Sequence, residues 1–303
     1  MRSRARRFSR LIFFDMDIII LGLLLGGTYA LMAMGLQLQY GVARIMNLAN
    51  GEVLVSGAFG AIWFYSASQL SPVLALIFVV PLAFIVNWAI YRYMMLPLVR
   101  RAKNQGQLEV DSILATFGLS FIFIGILLAV FGGEFLAYSY LAEPIRIFGE
   151  PYALNRIAAF LGAVVLCAGI YAWLHLTRTG LTLRAVAVNP AAAGLVSINV
   201  MRTSALAFAL GGAITASGGV LLSMYLTFDA SLGVVFTLKA LVIVIMGGVS
   251  DVRGAIVSAF ILGLTETAVA TLVDPGLTLA AAYVLFIIIL LVRPEGLFGR
   301  RST

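Results

Sequence analysis

Three residue types are nearly missing from this chain of 303 residues, which has two lysines, one histidine and one cysteine. The lone cysteine, Cys167, excludes an internal disulfide, and its place in an apolar run reads as a small packing or lipid-facing residue. The lysines, Lys103 and Lys239, are followed by Asn and Ala. A Walker A loop needs Lys followed by Ser or Thr, after glycines whose N–H groups cradle phosphate, so the chain cannot be a P-loop ATPase by itself. His175 ends an apolar run beside a basic loop and reads as an interfacial residue. An intramembrane serine protease needs its histidine to meet a serine within the membrane, and this one is badly placed for that. No set of His, Cys and carboxylates is spaced to converge on a metal. The reading is therefore not an enzyme, with neither a catalytic residue nor a metal ligand.

Charge is scarce as well. Charged residues make up 11% and hydrophobic ones 62%, against about 25% and about 45–50% in soluble domains; mean hydropathy is +1.07. Nine apolar segments can be drawn, at 18–40, 52–68, 72–96, 111–131, 157–176, 204–225, 236–249, 254–273 and 276–293. A bilayer core takes about 20 helical residues to cross. The fold class is an all-α polytopic transmembrane bundle of about eight or nine segments, some of them broken or short. Residues 1–17 read as a retained basic tail, 18–299 as one transmembrane domain and 300–303 as a C-terminal tail.

A net charge of +7 would suggest nucleic acid in a soluble protein. Here the basic residues flank apolar segments, the pattern of cytoplasmic loops, and no nucleic-acid partner is expected. The same rule puts 97–110, 177–203 and the C-terminus in the cytoplasm and 132–156 outside. Nine crossings then leave the N-terminus outside, although the first ten residues hold five arginines. Either that arm is an exception, or the region near 41–60 does not fully cross.

A few polar residues interrupt the apolar segments: Asn47, Asn50, Glu52, Thr116, Lys239 and Glu266. A charge at mid-bilayer costs about 2.5–3.5 kcal/mol on insertion scales, so such residues face the interior and mark a path. Structural alternatives stand beside that reading. Lys239 fits a snorkelling residue or a neutralising partner of Glu266. Asn47 and Asn50 fit caps on a broken helix, with Glu52 favouring its N-terminal dipole. A helix broken at membrane depth survives only where protein or a water-filled cavity supplies hydrogen bonds. "LKALVIVIMGGVSDVRGAIVSAFILGL" likewise reads as two short runs broken by a Gly-Gly-Val-Ser-Asp turn, a transporter feature.

These residues carry a resemblance. "GLLLGGTYALMAMGLQLQYGVARIMNLANGEVLVSGAFGA" (22–61) resembles the opening of the branched-chain amino-acid ABC transporter permeases of the LivH type. Gly27 to Leu31, Asn47, Ala49, Gly51 and Glu52 match that pattern. Asn50 stands where histidine is usual and Leu48 where phenylalanine is common. "DSILATFGLSFIFIGI" (111–126), "AFALGGAITASGGVL" (207–221), 238–266 and "RPEGLFG" (293–299) follow in order. So does "TRTGLTLRAVAVNPAAAGLVSINVMR" (177–202), with Ser197 in place of a glycine.

The resemblance implies a multi-pass importer subunit of the bacterial inner membrane, held in lipid and working by alternating access. It would pair with a second related permease, two cytoplasmic ATP-binding subunits and a periplasmic solute-binding protein. No cofactor is expected on this chain; ATP and Mg would bind the partner subunits. The 177–203 loop would couple to those subunits through Arg184, Asn189, Pro190, Ala191 and Leu195, with a short helix starting at Asn189-Pro190, since Pro in a first helical turn costs no hydrogen bond. The solute would be an amino acid, with the branched-chain type foremost. The alternative is a urea or short-amide permease, as part of such a complex or as a free-standing channel or secondary transporter.

Overall fold

The computed structural model describes residues 2–147, 150–249 and 251–299, without the side chains of 2–15, 147 and 150. Ser250 of the Gly-Gly-Val-Ser-Asp turn and the 300–303 tail therefore lie outside the described residues. Helix α1 runs over Arg2–Ala43, so the basic arm continues into the first membrane segment without a break. Then come α2 (Asn50–Ser68), α3 (Leu76–Ile90), a π turn at Tyr91–Met95, α4 (Leu96–Arg101) and α5 (Gln105–Phe131). A hairpin of β1 (Pro144–Ile147) and β2 (Glu150–Ala153) precedes α6 (Leu154–Leu176). The chain continues through α7 (Arg178–Val188), α8 (Pro190–Leu195), α9 (Val200–Leu222), α10 (Gly233–Gly247), α11 (Val252–Leu272) and α12 (Thr278–Val292).

Each of the nine apolar segments is helical. Seven helical stretches among the described residues are long and apolar enough to cross a membrane. The two others fall short for different reasons: α10 has 15 residues, and α2 opens on Asn50, Gly51 and Glu52. Several helices begin before their apolar windows because capped polar turns extend them. Asn104 Oδ1 accepts from the Gln107 N–H at 2.8 Å ahead of α5, and Asn199 Oδ1 from the Arg202 N–H at 3.0 Å ahead of α9.

The core sits where α1 crosses α9. A Cβ at Gly35 would lie 2.5 Å from the Gly211 carbonyl oxygen, so only hydrogen at that position lets the two backbones touch. In lipid, where no hydrophobic force drives helix to helix, this close approach through small residues holds the pair. Buried alanines, glycines and serines line α9 from Ala207 to Leu222. Helix α11 runs antiparallel along α1, with Gly22 against Leu264 and Gly26 against Phe260.

The two ends of the first span touch opposite connections. Asp17 accepts a hydrogen bond from the Tyr152 hydroxyl of the hairpin. At the other end Arg44 Nη2 donates to the Ala187 carbonyl in α7 at 3.0 Å. The first span therefore starts on the side of 132–156 and ends on the side of 177–203. The region near 41–60 also departs from a plain crossing. Helix α2 begins beside Thr215, well inside α9, and returns to the 132–156 side, where the Tyr65 hydroxyl donates to the Ser139 carbonyl at 3.1 Å.

The 177–203 connection holds two helices where one was expected. Helix α8 starts at Pro190 with Asn189 as its cap, the Ala192 N–H donating to Asn189 Oδ1 at 3.0 Å. Helix α7 precedes it, capped by Thr177. The 293–299 motif closes α10: the Leu297 and Phe298 N–H groups donate to the Met246 and Gly247 carbonyls at 2.7 and 3.2 Å, satisfying acceptors that every helix C-terminus leaves open.

Candidate functional site: two helix starts that meet inside the bundle

Helix α1 ends at Ala43, and the next residue, Arg44, still donates its N–H to the Tyr40 carbonyl while its φ of 56° turns the chain left-handed. Glycine is the usual residue for such a turn because a Cβ is disfavoured there. Arg44 to Ala49 are six non-helical residues, after which α2 begins at Asn50. Those residues carry backbone groups that lipid cannot satisfy, and the surrounding side chains supply the partners.

Asn47 Oδ1 accepts from the Ala49 N–H at 3.0 Å, and its amide donates to Gln39 Oε1 at 3.0 Å. Gln39 in turn donates to the Phe208 carbonyl in α9 at 3.0 Å. Thr116 Oγ1 accepts from the Leu48 N–H at 3.0 Å and donates within a set of carbonyls, Ser112 at 2.7 Å and Met46 at 3.2 Å. Thr237 Oγ1 accepts from the Gly51 N–H at 2.8 Å and donates to the Leu48 carbonyl at 3.0 Å. Thr215 donates to Asn50 Oδ1 at 3.0 Å. Four helices thus hold one six-residue break.

Helix α10 begins against the start of α2. A Cβ at Gly51 would fall 1.8 Å from the Gly233 carbonyl oxygen, and one at Gly233 would fall 1.8 Å from Glu52 Oε2. The two helices leave this point in opposite directions, α2 toward the 132–156 side and α10 toward the Gly248 turn. Two positive helix ends therefore converge on the Glu52 carboxylate, the sign that favours an anion there. Glu52 and Asn50 are fully buried. Among the described residues, both Glu52 oxygens and the Asn50 amide nitrogen have no hydrogen-bond partner.

Lys239 and Glu266 form a separate cluster. Lys239 Nζ lies 2.8 Å from Glu266 Oε2 in a nearly buried ion pair. It also donates to the Tyr29 hydroxyl at 2.8 Å, and that hydroxyl donates to Glu266 Oε2 at 2.9 Å. Three helices, α1, α10 and α11, are tied by this triad. Of the six polar residues singled out in the sequence, four meet around the break and two pair with each other. Gln39, Thr215, Thr237 and Tyr29 were not singled out, although an amide within the apolar run of α1 was a readable sign for Gln39. None of the six lines the cavities along α3 and α9, between α1 and α10, or between α1, α6 and α11.

In the 177–203 connection, Arg184 lies in α7 and donates to the His175 carbonyl at 3.4 Å. Asn189 and Pro190 start α8, and Ala191 and Leu195 lie on it. Leu195 is 88% exposed, with Val188 at 83% and Val196 at 69%. Ser197, in the place of a glycine, has a φ of 64°, the left-handed conformation that explains a glycine there.

Residues 18–292 match the family model described as branched-chain amino acid transport system / permease component. The chain is 28% identical over 294 residues to the high-affinity branched-chain amino acid transport system permease protein LivH of Escherichia coli (strain K12), covering 92% of this chain and 94% of that protein. LivH of Salmonella typhimurium matches to the same extent. The permease protein BraD of Pseudomonas aeruginosa is 27% identical over 292 residues, 93% of this chain and 95% of its own. With apolar helices of membrane-crossing length and a match over nearly its whole length, this multi-pass membrane protein belongs to the family of permease components of branched-chain amino acid transport systems.

Proposed function

We propose that this chain is the permease subunit of an ATP-binding-cassette importer that carries amino acids across a bacterial inner membrane by alternating access. The observation that carries the reading is the unpartnered Glu52 and Asn50 at the meeting point of two helix starts. A buried polar atom without a partner costs about 1–3 kcal/mol, and that cost is offset if another conformation supplies one. A zwitterionic amino acid has the matching groups: its ammonium donates to Glu52, and its carboxylate accepts from the Asn50 amide. Asn47 and Thr116 hold the break in shape. Lys239 and Glu266 serve as a brace rather than as part of the path.

The chain carries no P-loop motif, so the energy comes from elsewhere. Two cytoplasmic ATP-binding subunits, holding ATP and Mg, grip the 177–203 connection. The exposed apolar side chains of Val188, Leu195 and Val196 in that connection support this, since exposed apolar groups outside the membrane mark interaction sites. Nucleotide drives the switch through its differential affinity for the closed ATPase pair. A second permease and a periplasmic solute-binding protein complete the assembly. Residues 18–299 act as one transmembrane unit, with 1–17 and 300–303 as tails. Branched-chain amino acids are the foremost solutes by likeness to the relatives.

Leucine uptake into vesicles tests the reading. It should need ATP and the ATPase subunits, and Leu195→Asp should abolish it while the chain stays in the membrane. Uptake that persists without any ATPase subunit would overturn the reading and favour a free-standing channel.

A further inference from the structure

An open groove of about 880 Å³ runs along the outer face of α3, α4 and the start of α9, remote from the break. Its upper wall is apolar, with Phe84 and Leu206, and the half-exposed Trp88 lies below them. Its lower end carries Arg92, Arg100 and Arg202. Among the described residues the one ion pair is Lys239–Glu266, so these three guanidinium groups have no carboxylate at salt-bridge distance. Arg100 and Arg202 belong to the two basic connections assigned to the cytoplasm.

The helix is reshaped at this point. The Tyr91–Met95 turn is π rather than α, and Pro97 follows it. Proline lacks the N–H for the helical ladder, and its ring clashes with the carbonyl four residues back. Widening the preceding turn relieves that clash, and π turns recur at functional sites. Here the widened turn contributes Tyr91 and Arg92 to the groove wall.

We propose that this groove binds an anionic glycerophospholipid of the cytoplasmic leaflet. Phe84 and Arg92 are eight helical residues apart, about 12 Å at 1.5 Å per residue, and Arg100 lies a further eight below. That length fits a phosphate headgroup at the arginines with the upper acyl chain against Phe84 and Leu206. Trp side chains favour the headgroup boundary. Basic clefts between membrane helices on the cytoplasmic side select acidic headgroups. A small soluble anion would leave the apolar wall unused. The groove adjoins the 177–203 connection, so the lipid would bear on the segment that moves with the ATPase.

Native mass spectrometry of the intact complex in mild detergent, offered equal amounts of phosphatidylglycerol and phosphatidylcholine, tests the proposal. The wild type should retain phosphatidylglycerol selectively. Each arginine near the surface contributes roughly a fivefold gain in occupancy, so Arg92→Gln/Arg100→Gln should cut retention at least tenfold. Arg92→Lys/Arg100→Lys, which keeps the charge, should hold the preference, and Arg146→Gln on the opposite face should leave it unchanged. Equal retention of the two lipids by the wild type would overturn the proposal, as would unaltered selectivity in the double Gln variant. Loss of the ATPase subunits from the double Gln variant with lipid retention intact would instead make the groove a protein-docking surface, and the lipid assignment would fail. An unchanged elution volume shows that the variants remain folded.

Discussion

Two buried polar clusters share this membrane bundle, and they differ in one respect. In the Tyr29–Lys239–Glu266 triad the charges face each other, and both the lysine and the tyrosine find partners. At the α2–α10 meeting point the network is dense but incomplete, because Glu52 and the Asn50 amide nitrogen face no partner among the described residues. A charge-paired cluster ties helices together. One without a counter-charge holds affinity in reserve for something that arrives later. Glu266 also keeps one oxygen, Oε1, without a partner among the described residues, so what separates the brace from the path is the counter-charge: Lys239 neutralises Glu266, and no cation pairs with Glu52 among the described residues.

The largest expected effect lies in the brace. Glu266→Leu leaves the Lys239 ammonium buried without its counter-charge, a loss of about 3–5 kcal/mol, visible as low membrane abundance and a lower melting temperature of the purified chain. Removing both charges in Lys239→Met/Glu266→Leu should restore most of it, because a well-packed apolar pair often replaces a buried ion pair at little cost. Glu52→Gln should behave in the opposite way, with normal melting but leucine uptake reduced about ten- to hundredfold, the worth of one hydrogen bond to a charged group.

Thr237→Val removes the bridge between the Gly51 N–H and the Leu48 carbonyl. It should cost about 1–3 kcal/mol of stability, the penalty for leaving buried groups unpaired, and reduce uptake in step. Melting and uptake measured together would show whether the break is held by this bridge. The smallest effect is a gain. Ser197→Gly relieves a left-handed φ and should stabilise the chain by up to about 1 kcal/mol, read as a small rise in melting temperature without loss of uptake.

Much of this was legible in the chain itself. The nine apolar segments appear as helices, and the short α8 begins at the Asn189-Pro190 pair that announces it, because a cap and a first-turn proline are local signals. The break after Arg44 was legible from Asn47, Asn50 and Glu52, since polar residues in an apolar run need a reason. Helix α7 was not, because "TRTGLTLRAVAV" mixes small and apolar residues and carries its cap, Thr177, outside any long hydrophobic window. The partners of the break were hidden for a different reason. Thr215 and Thr237 lie 165 and 186 residues from the groups they satisfy, and a threonine in a membrane helix is unremarkable until the fold brings its partner near. The Lys239–Glu266 pair stood among the sequence alternatives, but only the packing of α10 on α11 brings the two side chains together.

The most direct test takes Glu52→Gln and Lys239→Met/Glu266→Leu through the same two readings, thermal melting of the purified complex and leucine uptake into vesicles. The contrast between path and brace predicts that both variants melt near the wild type and that only Glu52→Gln fails to transport. Normal uptake by Glu52→Gln, or failure of the stable double variant, would contradict it.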